Sequence, residues 1–144
     1  MTARTAMMFV NIPTRNLDRA VRFFRTLGFG FNAQFTDDHA ACMVLSDQGF
    51  VMILSEARFK DFARRPIADE TTHTAHMLAI SAASRQDVDH VADTAIASGG
   101  AFAAEPMDYG FMYQRSFYDP DGHHWEVIWM DPAHVQAPSD PAGS

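Results

Sequence analysis

One punctuation pattern occurs twice along the chain. A helix-ending glycine is followed by a turn glycine 21 residues on in the first half (Gly28 to Gly49) and 22 residues on in the second (Gly100 to Gly122). Agreement between independent breaks of this kind marks a duplicated supersecondary unit. Such a unit has an apolar sheet face that it cannot bury alone, so the two copies must share a core. The order of signals in each half is strand, helix, glycine, then strands. The reading is an α+β chain of two tandem β-α-β-β-β modules, 7–57 and 75–131, with a linker over 58–74 and a flexible tail over 132–144.

The local signals support each element. Met8, Val10 and Ile12 alternate with Phe9 and Asn11 at the strand period of two. Asn16 is placed to cap a helix carrying Leu17, Ala20, Val21, Phe24 and Leu27 at helical spacing, which Gly28 ends. Strands are predicted over 29–35, 41–45 and 50–54. The second half repeats this with 76–80, with a capping box at Ser84-Arg-Gln-Asp87 before the stripe Val88, Val91, Ala92, Ala95 and Ile96, and with Gly99-Gly100 as the stop. In the linker, Phe59, Phe62 and Ile67 predict a packed, partly helical stretch broken by Pro66.

Composition narrows the function. A net charge of −7 excludes a phosphate-backbone partner, which needs clustered Lys and Arg. The group Arg58, Lys60, Arg64 and Arg65 is interrupted by acidic neighbours and reads as a solvated face. The single cysteine, Cys42, cannot form an internal disulfide and sits in an apolar run, as a buried, inert thiol would. With no secretory-signal pattern and no apolar run near the roughly 20 residues that span a bilayer, a cytoplasmic protein without a membrane partner is expected.

The chemistry concentrates in Ser116-Phe-Tyr-Asp-Pro-Asp-Gly-His-His-Trp-Glu-Val-Ile-Trp129. Asp119-Pro-Asp-Gly122 has turn residues between two aromatic and β-branched runs, so the segment reads as a hairpin. A symmetric closure opposes Tyr118 to His123 and Arg115 to Glu126. One face then carries Tyr113, Arg115, Phe117, His124, Glu126 and Ile128; a bulge shifts this register by one. A strand carboxylate taken out of water needs a cation or a proton, which makes Glu126 the candidate centre.

These residues resemble the vicinal oxygen chelate superfamily of glyoxalases, bleomycin-resistance proteins and extradiol dioxygenases, in its small bacterial glyoxalase-like branch. The resemblance rests on Asn16-Leu-Asp-Arg-Ala-Val-Arg-Phe-Phe24, Leu27-Gly28-Phe29 and Phe117-Tyr-Asp-Pro-Asp-Gly-His-His-Trp-Glu-Val127, and spans about residues 7–131. It implies two modules forming a curled mixed sheet around a cavity, often as a homodimer. It also implies a divalent metal held by the first and last strands of both modules. Carried over by position, the last ligand falls on Glu126. The others fall on Phe9, on Met77 with His76 one residue off register, and among Met52, Ile53 and Leu54. One ligand of four does not make a metal site, so neither a metal nor another cofactor is expected.

The guanidinium of Arg115, which can engage a carboxylate bidentately, is expected in the metal's place. The resulting reading is a small-molecule-binding protein that takes up a partly apolar ligand through Arg115, His124, Asn11, Tyr109 and Tyr113, with Glu126 available for acid/base work. Asn11 either pins a ligand carbonyl or satisfies a backbone group. Tyr109 and Tyr113 either form a lid or plug a small core, and His124 is either a wall or a base. His76 is expected to face the helices and His123 to point outward. The alternative is a metal-dependent lyase, isomerase or dioxygenase using Glu126 and His124, completed by His76 or a dimer partner.

Overall fold

Each half of the chain builds its own hydrogen-bonded sheet, and one apolar core serves both. The computed structural model describes residues 2–134. The first half runs β1 (Met8–Thr14), α1 (Leu17–Thr26), β2 (Gly30–Asn32), a 3-10 turn (Ala33–Phe35), β3 (Ala40–Val44) and β4 (Gly49–Ser55). Helix α2 (Glu56–Phe62) follows in the linker. The second half runs β5 (Met77–Ser81), α3 (Arg85–Ala97), β6 (Ala101–Phe102), β7 (Met107–Asp108), β8 (Met112–Tyr118) and β9 (His124–Met130). The sheets are ordered β1-β4-β3-β2 and β5-β9-β8-β6, with β7 also on β8. In both, the first strand lies parallel to the last, an arrangement that requires the crossover α1 or α3 supplies.

The expected caps form. Asn16 Oδ1 accepts from the amide of Arg19 at 3.0 Å, and Ser84 Oγ from that of Asp87 at 3.0 Å. Gly28, which ends the first helix, has φ +104°. The predicted strand over 29–35 is cut to three residues because Asn32 caps the 3-10 turn through the Gln34 amide.

Phe24 of α1 packs on Trp125 of β9 with ring centroids 5.2 Å apart, and Phe23 meets Phe117 of β8 at 6.1 Å. Ile12, Met43, Val51 and Ile53 join Val88, Ala95, Phe117, Trp125 and Val127 in one cluster. Neither half therefore buries its sheet without the other. β1 and β5 are the edge strands of the two sheets, and residues of both line an apolar slot of about 260 Å³ together with Phe50 and Trp125. Of the methionines, Met43 is buried and Met7, Met8, Met77, Met107 and Met130 are exposed. Cys42 is buried, and burial pushes its thiol pKa up, which suits an inert side chain. No helix among the described residues is long and apolar enough to cross a membrane. The tail expectation for 135–144 lies outside the described residues.

The linker returns over the β8–β9 turn. Gly122 there has φ +90°, and a Cβ would stand 2.7 Å from the carbonyl oxygen of Glu70. Both conformation and space demand glycine. Gly122→Ala is expected to lose about 1–3 kcal/mol, the cost of strained backbone, read as a lower urea midpoint. An unchanged midpoint would mean that the linker does not press on this turn.

Candidate functional site

The β8–β9 turn differs from the symmetric hairpin expected, and the difference rearranges the site. Asp119 folds its side chain inward, where Oδ1 accepts from the amides of Asp121 (2.9 Å) and His123 (3.1 Å) and Oδ2 from Trp125 Nε1 (3.0 Å). Desolvation pushes the pKa of this buried carboxyl up. Capturing the His123 amide draws that residue into the connection, so the loop is five residues long and Tyr118 opposes His124. The pairing is thus one residue from the symmetric one, and every β8 side chain changes face.

Glu126 accordingly lies opposite Ser116, with Arg115 opposite Val127. The expected Arg115–Glu126 pair does not form. Arg115 is on the helix side, donating to Asp93 Oδ1 at 2.7 Å and Asp89 Oδ1 at 3.2 Å on α3. Tyr113 shares that side and donates to Asp89 at 2.6 Å, which pushes its phenol pKa up. Gln114, on the other face, donates to Glu126 Oε2 at 2.6 Å. The β9 half of the reading holds: His124, Glu126 and Ile128 share a face, with Trp125 and Val127 buried on the other.

His124 Nε2 is buried without a hydrogen-bond partner and lies 3.8 Å from Glu126 Oε2, beyond direct bonding distance. Its ring meets Tyr118 edge to face at 5.6 Å. On the neighbouring strand β5, Met77 pairs with His124 and Ala79 with Glu126. Among the described residues, no third His, Cys, Asp or Glu joins Glu126 and His124 into a cluster. Glu126 and His124 alone supply two ligands, fewer than the three protein donors a zinc-type site uses. Asn11 is exposed on β1 beside Met52 of β4, away from these strand partners in register.

Tyr109 is exposed and does not come together with Tyr113 as a lid. Its loop is anchored by Arg85, which grips both Asp108 oxygens (2.8 and 2.9 Å) and the Gly110 carbonyl (2.8 Å) while lying over the rings of Tyr113 and Trp129. The Arg85 bonds hold the Asp108 carboxyl well below the usual range, at about 2.

A second constellation arises where no role was assigned. His123, expected to point outward, is 2% exposed. Its Nε2 donates to the Pro13 carbonyl at 2.7 Å, and its Nδ1 contacts Glu70 Oε2. His76, expected to face the helices, stacks on His123 (5.7 Å) with Nδ1 3.6 Å from Glu70 Oε1. Burial works to lower the His123 pKa, but Asp119, the Pro13 carbonyl and Glu70 outweigh it and hold the imidazole above its ordinary value. Glu70 carries no sequence signal, because its partner lies 53 residues away, in the β8–β9 turn.

A two-module α+β chain with a last-strand glutamate on an open sheet face is the architecture of the glyoxalase class. The Glyoxalase/Bleomycin resistance protein/Dioxygenase superfamily pattern matches residues 6–127, and the chain belongs to that family. It is similar in structure to a hypothetical protein from S. aureus (22% identity, TM-score 0.74, covering 88% of this chain and 95% of that one). It is also similar to a family enzyme from Burkholderia phytofirmans (16%, 0.71, 88% and 99%) and to lactoylglutathione lyase from Agrobacterium tumefaciens (15%, 0.66, 93% and 100%). At these identities the likeness concerns the fold. No curated protein sequence matches the chain.

Because the folded Asp108 pKa is depressed, its contribution to stability is present above the ordinary carboxylate range and is lost as pH falls towards 2. A carboxyl titration followed by NMR should show Asp108 with a midpoint near 2. Arg85→Ala should return it towards its ordinary value. A normal midpoint in the parent protein would mean that the loop is not tied down by Arg85.

Proposed function

We propose that this protein binds a small, partly apolar molecule on the open face of the second sheet, placing a polar group of the ligand between His124 Nε2 and Glu126. The observation that carries this reading is the imidazole nitrogen buried without a partner 3.8 Å from the carboxylate. A buried polar atom left unsatisfied costs roughly 1–3 kcal/mol, and a ligand hydroxyl or amide reaching both groups would recover it. Gln114 fixes the carboxylate from the side, and exposed Met77 beside His124 supplies an adaptable apolar wall. Proton exchange between Glu126 and the bound molecule is the chemistry this pair can add to binding. Arg115 and Tyr113 do not belong to this site; their partners on α3 give them a structural role.

A thermal-shift screen with small phenols and aromatic amides tests the reading. Affinities of the hits should fall at least tenfold in Glu126→Gln and in His124→Ala. Arg115→Ala should keep those affinities while losing about 1 kcal/mol of stability, as expected for a part-exposed ion pair and its packed stem. Hits that bind Glu126→Gln as well as the parent would sink the proposal.

The same reading includes a cytoplasmic homodimer. Met8 (66% exposed), Phe9 (54%) and Met77 (62%) are large exposed apolar side chains on β1 and β5, the edge strands of the two sheets, and burying them would favour association. Sedimentation equilibrium at micromolar concentration should give twice the chain mass, and Met8→Asp with Met77→Asp should halve it. A single-chain mass for the parent would contradict the dimer.

A further inference from the structure

Two clusters of metal-type donors surround His123, and their hydrogen bonding separates them. In the first, both oxygens of Asp119 and of Asp121 are hydrogen-bonded. Asp119 accepts three donors from its own turn, and Asp121 accepts from Thr14 Oγ1 (2.6 Å), the Arg15 amide (3.0 Å) and Arg19 Nη2 (3.1 Å). Each of these carboxylates is already balanced by its own donors, and neither has an orphaned oxygen.

The second cluster, Glu70, His76 and His123, has donor capacity to spare. The Glu70 side chain is 4% exposed, yet its Oε1 has no hydrogen-bond partner. His76 bonds through neither nitrogen: Nδ1 lies 3.6 Å from that same oxygen, and Nε2 is buried without a partner. For His123 the tautomer follows from chemistry. A carbonyl can only accept, so Nε2 carries a proton facing Pro13, and Nδ1 is the atom set against the Glu70 carboxylate. The contact between Nδ1 and the carboxylate calls for positive charge, on Nδ1 itself or close to both atoms. A second proton on His123 would serve that one contact but would leave Glu70 Oε1 and the uncommitted His76 as they are. A metal ion would use all three groups.

The surroundings fit such an ion. A ligating histidine usually donates its other N–H to a backbone carbonyl, which is the Pro13 contact. A cleft of about 470 Å³, lined by Glu70 and His123 with Arg15, Lys60 and Ile67, opens beside the cluster and would admit an ion and a fourth, water ligand. Two imidazoles and one carboxylate are a borderline donor set of the zinc type, unlike the all-oxygen cage that calcium or magnesium takes.

We propose that Glu70, His76 and His123 form a binding site for a zinc-class divalent ion, separate from the Glu126 face, which fastens the inter-module linker to the β8–β9 turn. The site does not depend on what Glu126 binds.

The test uses the full, tag-free chain stripped with chelator and titrated with Zn²⁺ against a chromophoric competitor, with Co²⁺ as a spectroscopic stand-in. The expected result is one equivalent per chain, an intense low-symmetry Co²⁺ absorption band and a zinc-dependent rise in Tm. Glu70→Gln and His76→Ala should each weaken uptake at least tenfold and abolish the Tm rise, while Glu126→Gln leaves both unchanged. His123→Ala also loses the Pro13 contact, so the two other ligands decide the matter. His76 is a third exposed, and its replacement should leave the fold, checked by circular dichroism, intact. The proposal is overturned if the parent takes up no zinc, if both ligand variants bind it as the parent does, or if uptake is instead lost in Glu126→Gln.

Discussion

The carboxylate of Asp121 is the contact on which the arrangement of this chain depends. It sits in the turn of the second module, yet its partners are Thr14, Arg15 and Arg19, at the junction of the first strand and first helix of the other module. A carboxylate this shielded is tolerated only if hydrogen-bonded and matched in charge. One oxygen takes a hydroxyl, and the other an amide and a guanidinium. The contact therefore fixes the end of β1 against the β8–β9 turn with a geometry that apolar packing alone does not specify. Phe24 on Trp125 and Phe23 on Phe117 supply the bulk of the contact between modules, and Asp121 orients it.

The neighbouring Asp119 extends the same logic along the chain. By accepting the His123 amide it lengthens the loop to five residues, brings His123 into the interior and turns β8 over. The identity of the group that reaches Glu126 follows from one side chain in a turn. This marks where the sequence was legible. The helix caps at Asn16 and Ser84, the alternation along β1, the glycine stops and the inward set Trp125 and Val127 all rest on local periodicity or local capping. The β8 face rested on an assumed loop length. Proline and glycine in Asp119-Pro-Asp-Gly122 signal a turn whether four or five residues span it, and only the inward Asp119 side chain selects between them.

The destination of Arg115 was legible in part. Asp89 and Asp93 are one turn apart on α3, so they present an acidic stripe on one face. A strand arginine beneath that face meets two carboxylates at once, a stronger electrostatic claim than a single partner across a hairpin. Weighing that stripe against Glu126 would have favoured α3 even without the correct register. Glu70 offered no comparable cue. A lone glutamate in a linker acquires meaning only when the fold sets it against His123 and His76.

Glu126 and Glu70 stand in two different electrostatic settings. Glu126 keeps the position on the last strand but is met by a neutral amide, with an imidazole just out of reach, which favours exchangeable hydrogen bonding over tight ion binding. Glu70 lies off the open face, is almost wholly buried, and has two imidazoles within contact, which favours a cation. A carboxylate whose first partner is a neutral donor can release it to a ligand at little electrostatic cost. One enclosed by two imidazoles calls for a proton or a cation among them. The difference lies in burial and in the neighbouring donor type, and it is the basis for proposing recognition for the first group and anchorage of the linker for the second.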